Sequence, residues 1–169
     1  MSKQSFGLIG LAVMGENLAL NIERNGFSIA VYNRSREKTD TFMATRAKGK
    51  NFKAAFSIPE FVEFLESPRK ILIMVKAGAP VDAVISELKP LLDPGDIIID
   101  GGNSPYKESI RRAGDLSTKG LNFLDVGVSG GPRGALEGAC VMVGGQEVVF
   151  HKYEELFKDM SVNNGYGYM

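Results

Sequence analysis

The sequence predicts an α/β domain built on a doubly wound, mostly parallel β-sheet with helices on both faces. Three observations carry that expectation. Short, continuously apolar runs of strand length recur along the chain, as in strands buried on both faces. Amphipathic stretches of helical period separate them. The runs end in glycine-rich breaks, and in an open parallel sheet the carboxyl ends of the strands are where ligands lie. Strand and helix alternating in this rhythm call for right-handed crossovers.

The elements follow in order. "FGLIG" (6–10) reads as the first strand, and Met14, Leu18, Ala19 and Ile22 mark one face of a helix stopped by Asn25-Gly26. "SIAVYN" (28–33) is the second strand, and "SREKTDTFMATRAKG" (35–49) a helix with Ser35 as N-cap and Gly49 as stop. "ILIMV" (71–75) is the next strand, followed by "APVDAVISELKPLL" (79–92), where Val81, Val84, Ile85 and Leu88 share a face. After "IIID" (97–100), Ser104-Pro105 reads as an N-cap and first-turn proline. "FLDV" (123–126) and "CVMVGG" (140–145) are the last strands, and "EVVFHKYEELFKDM" (147–160) a last helix with Phe150, Tyr153, Phe157 and Met160 on one stripe. "SVNNGYGYM" (161–169) is polar and aperiodic, so the domain is expected to span 1–160 and the tail 161–169 to be linker-like.

Composition narrows the function classes. A chain of 169 residues, 44% hydrophobic and 24% charged, suits one ordinary globular domain. The formal net charge of zero, with both signs interspersed, gives no field to draw the protein to nucleic acid or an anionic membrane. The apolar runs are far short of a bilayer span. Cys140 is the single cysteine, which excludes an internal disulfide and suits a reducing, cytoplasmic setting. No metal-ligand spacing exists, so no metal site is expected.

The first break reads Gly10-Leu11-Ala12-Val13-Met14-Gly15, a G-x-A-x-x-G form of the dinucleotide-binding fingerprint. Gly10 allows the tight turn out of the strand, the small second residue clears a path for pyrophosphate, and Gly15 lets the helix pack close to the sheet. The helix N-terminus offers unpaired N–H groups to phosphate. The expected domain is therefore of Rossmann type. The second strand selects the coenzyme. An NAD site wants an acid about 20 residues on to accept from the ribose hydroxyls. Here the strand ends in Asn33, Arg34 and Ser35, a fork of donors with neutral neighbours, which suits the 2′-phosphate of NADP. One charge-assisted hydrogen bond is worth roughly 1.5–3 kcal/mol, or about one to two decades of preference. Arg36 and Lys38 read more plainly as the solvated start of a helix.

Three later strands end in small residues with a few polar groups: Lys76-Ala77-Gly78, Gly101-Gly102-Asn103-Ser104, and Gly127-Val128-Ser129-Gly130-Gly131. Singly these are ordinary turn chemistry. Together, on the carboxyl side of one sheet, they predict a ligand cleft in which Asn103 and Ser129 can bond hydroxyls or an amide.

"GLIGLAVMGENLALNIERNGF", "YNRS", "MVKAG", "IIDGGNS" and "VGVSGGPRGALEGACVMVGG" together resemble the amino-terminal domain of the 6-phosphogluconate dehydrogenases, within the wider β-hydroxyacid dehydrogenases. The resemblance implies NADP contacts at Leu11, Ala12, Val13, Met14, Asn33, Arg34, Ser35, Val75, Lys76, Ala77 and Asn103. It implies contacts to 6-phosphogluconate or a related sugar acid at Asn103, Ser129, Gly130 and Gly131. It also implies oxidative decarboxylation to ribulose 5-phosphate, in the pentose phosphate pathway. Full-length members are homo-oligomers, and take their general base and acid from a helix that would lie beyond residue 169. No catalytic residue is therefore assigned within the chain, which is expected to bind NADP with little turnover. Pro132-Arg133 departs from the acidic pair many members carry after Ser-Gly-Gly, and leaves the exact substrate open.

Other candidate bases are weak. His151 falls on the last helix, away from the strand ends, and reads as a surface residue. Cys140, within an apolar strand, reads as a buried, inert thiol. Asp100 and Asp125 end strands and read as loop caps. Two rival readings remain: a 3-hydroxyisobutyrate-like dehydrogenase using NAD, which Arg34 opposes, and an NADP-binding module without catalysis.

Overall fold

The computed structural model describes residues 2–169. Its elements run β1 (Phe6–Ile9), α1 (Val13–Arg24), β2 (Ile29–Tyr32), α2 (Arg36–Ala44), β3 (Phe52–Ala54), α3 (Ile58–Glu63), β4 (Lys70–Ile73) and α4 (Ala79–Leu88) with a 3₁₀ turn at Lys89–Leu91. There follow β5 (Ile97–Asp100), α5 (Tyr106–Ser117), β6 (Asn122–Ser129), α6 (Gly131–Glu137), β7 (Ala139–Gly145), α7 (Glu147–Lys152), α8 (Glu154–Met160) and β8 (Ser161–Tyr168).

Among the described residues the strands form one sheet in the order β3-β2-β1-β4-β5-β6-β7-β8. The neighbours from β3 to β6 pair in parallel, β7 runs antiparallel to β6, and β8 is parallel to β7. The order reverses at β1, where the chain leaves toward β2 on one side and β4 extends the sheet on the other. This is the doubly wound architecture expected, with its switch point beside the first glycine break.

Alternation along the strands decides which residues meet which layer. Phe6 and Leu8, Leu72, and Ile97 and Ile99 point to a core shared with Leu18 and Ile22 of α1, Phe42 of α2, Ala135 of α6 and Phe150 and Phe157 of the last helices. Ile9, Ile71, Ile73 and Ile98 point the other way, onto Phe61 of α3, Val81 and Ile85 of α4 and Leu116 of α5. Burying one such side chain contributes roughly 1.5–3 kcal/mol, so each apolar run is anchored on both faces.

Several local expectations need correction. Between Gly49 and Ile71 the sequence suggested no element, yet β3 and α3 lie there. β3 is a three-residue edge strand too short for a visible period. Ser57 Oγ accepts from the Glu60 N–H at 3.3 Å, and Glu60 Oε2 accepts from the Phe56 N–H at 2.7 Å, a capping arrangement that starts α3. α2 stops at Ala44 rather than Gly49. The 147–160 helix is broken at Tyr153 into α7 and α8, although Phe150, Tyr153, Phe157 and Met160 are all buried as the stripe requires. Residues 161–168 form β8 instead of an irregular linker, because backbone pairing with Val141, Met142 and Val143 asks for no apolar alternation. Cys140 is exposed, since it alternates outward between buried Ala139 and Val141. α5 begins at Tyr106 with Pro105 as its N-cap; the Ser104 hydroxyl is engaged elsewhere.

Candidate functional site

The first break is shaped by contacts that only glycine allows. Gly10 has φ +106°, and a Cβ there would stand 2.3 Å from the Met74 carbonyl oxygen. A Cβ on Gly15 would stand 1.8 Å from the Gly10 carbonyl oxygen. The turn is therefore folded tightly against both the sheet and the end of β4. Asn33, at the end of β2, completes it: its Oδ1 accepts from the Leu11 N–H at 2.8 Å, and its Nδ2 donates to the Ser35 carbonyl at 3.2 Å. The Leu11 amide is thus occupied, its side chain buried, and the free edge of the turn falls to Ala12, Val13 and Met14. Ala12 is the N-cap of α1 and gives no side-chain cap, which leaves the first-turn N–H groups open to an anion.

Two cavities meet at this turn. One, of about 450 Å³, is lined by Leu11, Ala12, Val13, Glu16, Ser35, Glu37, Lys38 and Thr41. Arg34, which precedes Ser35 of that lining in the chain, is exposed and makes no hydrogen bond or ion pair within the described residues. Arg36 is committed otherwise, 4.3 Å above the Phe56 ring and 3.6 Å from Asp40 Oδ2. Glu16 is paired with Arg46 at 3.0 Å. The other cavity, of about 490 Å³, is lined by Met14, Met74, Val75, Gly101, Gly102, Asn103, Gly127, Val128, Ser129 and Met142. Its wall holds apolar side chains, backbone and two neutral polar groups, with no titratable side chain. Of the residues singled out in the sequence, Leu11, Ala12, Val13 and Ser35 line the first cavity, and Met14, Val75, Asn103 and Ser129 the second. Gly10, Gly15 and Asn33 shape the turn. Lys76 is exposed on the β4–α4 loop with Ala77 beside it, and Gly130 and Gly131, both at positive φ, are exposed at the start of α6.

The loops that carry these residues, and the helices beside them, are held by buried polar groups. Asn103 has φ +59°, fixed between two bonds to Asp100: Oδ1 accepts from the Gly102 N–H at 2.9 Å and Oδ2 from the Ser104 hydroxyl at 2.5 Å. Asp100 is thus a loop cap, as its strand-end position suggested. Asp125 accepts from the Ser109 hydroxyl at 2.7 Å, and burial pushes its carboxyl above the usual carboxylate range. It lines neither cavity. On α1, Asn17 donates to the Pro132 carbonyl at 2.9 Å, and Asn21 to the carbonyls of Ala135 and Met160 at 3.0 Å. Their spacing of four was the available signal. His151 is on the surface, beside Glu154. Arg133 points to Glu137 at 2.8 Å and is exposed. Among the described residues no group of three or more His, Cys, Asp or Glu is placed to hold a metal, and no helix is long and apolar enough to cross a membrane.

Residues 5–167 match the family described as the NAD binding domain of 6-phosphogluconate dehydrogenase. The chain belongs to that family. It is 60% identical over 161 residues to the decarboxylating 6-phosphogluconate dehydrogenase of Synechococcus elongatus, an alignment covering 95% of this chain and 34% of the relative. It is 58% identical over 147 residues to the NADP(+)-dependent, decarboxylating 6-phosphogluconate dehydrogenase of Bacillus subtilis, covering 87% and 31%. Among solved structures it resembles Plasmodium falciparum 6-phosphogluconate dehydrogenase, described apo, with NADP+ and with 6-phosphogluconate. The TM-score is 0.88 at 40% identity, over 97% of this chain and 36% of that one. The 3-hydroxyisobutyrate dehydrogenase of Mycobacterium tuberculosis aligns at TM-score 0.84 but 20% identity, which shows the shared fold alone. The chain spans about a third of the length of these 6-phosphogluconate dehydrogenases.

Proposed function

We propose that this chain is the coenzyme-binding domain of an NADP-dependent, decarboxylating 6-phosphogluconate dehydrogenase, and that it contributes one wall of the sugar-acid pocket. The observation that carries the reading is the tight glycine turn opening onto a cavity lined by Ser35, whose chain neighbour Arg34 is exposed and unpaired among the described residues. The Bacillus subtilis relative's NADP dependence and the NADP+ complex of the Plasmodium enzyme support the same coenzyme.

In this reading the open amides of Ala12, Val13 and Met14 hold the pyrophosphate, with the α1 dipole behind them. Arg34 and Ser35 take the 2′-phosphate. Val75, Lys76, Ala77 and Asn103 border the nicotinamide half. Asn103, Ser129, Gly130 and Gly131 meet the sugar acid. Bound NADP supplies the hydride acceptor for the substrate's 3-hydroxyl carbon; the resulting β-keto acid loses carbon dioxide, and ribulose 5-phosphate forms after reprotonation. Deprotonating that hydroxyl needs a base within hydrogen-bond reach. The cavity bordered by Asn103 and Ser129 has no titratable lining, so the base and acid are assigned to a part of the enzyme outside this chain, whose relatives are about three times as long. The lone exposed thiol of Cys140 suits a reducing compartment such as the cytoplasm.

Calorimetric titration of NADP and NAD against the wild-type chain and Arg34→Ala tests the assignment. Arg34 makes no hydrogen bond or ion pair among the described residues, so the variant is expected to stay as stable as wild type. Losing one charge-assisted bond lowers NADP affinity about 10- to 150-fold and leaves NAD nearly unchanged. An unaltered NADP preference rejects the reading.

A further inference from the structure

One buried cation has no place in the scheme above. Arg112, on α5, is 2% exposed and lines neither cavity. Its Nε donates to Asp82 Oδ1 at 2.9 Å, one terminal nitrogen to Ser104 Oγ at 3.0 Å, and the other to the Gly78 carbonyl at 3.2 Å. Asp100, wholly buried, stands 3.5 Å from the same guanidinium. These partners come from three places. Gly78 ends the β4–α4 loop that carries Val75, Lys76 and Ala77. Asp100 and Ser104 bracket the β5–α5 loop that carries Asn103. Asp82 fixes the guanidinium to α4.

We propose that Arg112 is a positioning residue that holds the β4–α4 and β5–α5 loops at a set separation, and so shapes the nicotinamide end of the cleft. The inference rests on the NADP reading. Stability alone is a poor explanation for such a group, because a buried ion pair is often no more stabilising than apolar side chains of the same volume. Its geometry is informative instead. Asn103 keeps a left-handed backbone, which strains a residue with a side chain, and is held on both sides by Asp100. Arg112 then ties that clamp, through Ser104, to the carbonyl of Gly78. A planar fork of donors can bridge three acceptors in fixed directions, whereas a lysine ammonium on its flexible stem cannot.

The test uses two variants, Arg112→Lys and Ser104→Ala, and two ligands. NADP spans the whole cleft, while adenosine 2′,5′-bisphosphate lacks the nicotinamide half and uses only the α1 turn and Arg34. Both variants are expected to bind NADP about tenfold more weakly and the bisphosphate within about twofold of wild type, the loss corresponding to one tether of the loop pair. Equal weakening of the two ligands, as a general loss of packing would give, overturns the proposal; so does unchanged NADP affinity. Should Arg112→Lys not fold, Ser104→Ala decides alone, since it leaves the Arg112–Asp82 pair in place. A wild-type chain that binds neither ligand rejects the NADP reading, and this inference with it.

Discussion

Replacing Gly15 by alanine probes the turn on which the site depends. The added Cβ would lie 1.8 Å from the Gly10 carbonyl oxygen, 3.0 Å from its carbon and 3.4 Å from Met74 Cβ. Bringing the first contact out to even 3.0 Å requires about 1.2 Å of movement, and the atoms in the way are backbone. Gly10 cannot retreat far, because its own N–H donates to the Tyr32 carbonyl at 2.9 Å and its α-carbon already faces the Met74 carbonyl. The strain therefore falls on the turn. A shift of that size would stretch the Leu11 to Asn33 bond, now 2.8 Å, beyond hydrogen-bonding range. Overpacking of this kind costs roughly 1–3 kcal/mol and the lost bond about 0.5–1.5 more, so the expected destabilisation is about 1.5–4.5 kcal/mol. Urea unfolding followed by circular dichroism measures the stability, and NADP titration the binding. A folded Gly15→Ala protein should bind NADP at least about tenfold more weakly, because its first-turn amides no longer converge. A variant within about 0.5 kcal/mol of wild type that binds NADP normally would refute the claim that this turn is set by backbone contact.

Gly114 gives the opposite result. It lies in α5, and a methyl group added there would meet nothing within 4 Å, so Gly114→Ala should raise stability by about 0.5–1 kcal/mol through helix propensity, read in the same urea experiment. Asp82 supplies a pH dependence. Bonding to Arg112, with Arg111 beside it, lowers its carboxyl from 3.8 to about 2. A lowered folded-state value means stability that is present above 3.8 and is lost as pH falls toward 2. The stability gap between wild type and Asp82→Asn should narrow across that window in acid unfolding curves, by less than a buried pair would give because Asp82 is partly exposed. A constant gap would show that the ion pairs contribute nothing.

The legible part of the fold was the part governed by side-chain burial. Continuous apolar runs at 6–10, 71–75 and 97–100 predict strands because both of their faces lie under helices, and the structure divides each run between two cores. What escaped was held by the backbone. β8 pairs through main-chain groups with a bulge and two asparagines at positive φ, so its sequence need not alternate. β3 is an edge of three residues. The helix break at Tyr153 falls inside an unbroken apolar stripe, which specifies the buried face but not the continuity of the backbone. Cys140 runs against its apolar surroundings because its strand is covered on one side only: Val141 and Val143 are buried, while Cys140 and Met142 face outward.

The same division explains the candidate site. Its glycines, Asn33, Arg34 and Asn103 stand in local patterns of a few residues and could be read directly. The groups that join those patterns could not, because their partners lie far away in sequence. Asn17 reaches Pro132, Asn21 reaches Ala135 and Met160, and Arg112 reaches Gly78 and Asp82. These long-range bonds reach helices α6, α8 and α4 and the Gly78 carbonyl just before α4, not the strands. The sheet alone would leave the Ser129–Gly131 segment free to move relative to the α1 turn, since β6 and β1 are separated by β4 and β5. Asn17 ties Pro132, the residue after that segment, to the helix whose N-terminus opens onto the first cavity, and Arg112 does the equivalent for the loops after β4 and β5. Buried amides and one guanidinium thus add directional bonds to the apolar packing of α1 on α6, between the places proposed for coenzyme and substrate. Directional bonds hold such a distance more narrowly than dispersion contacts, which tolerate sliding. That directionality accounts for Asn21 and Arg112 standing in buried positions where a core would otherwise take leucine.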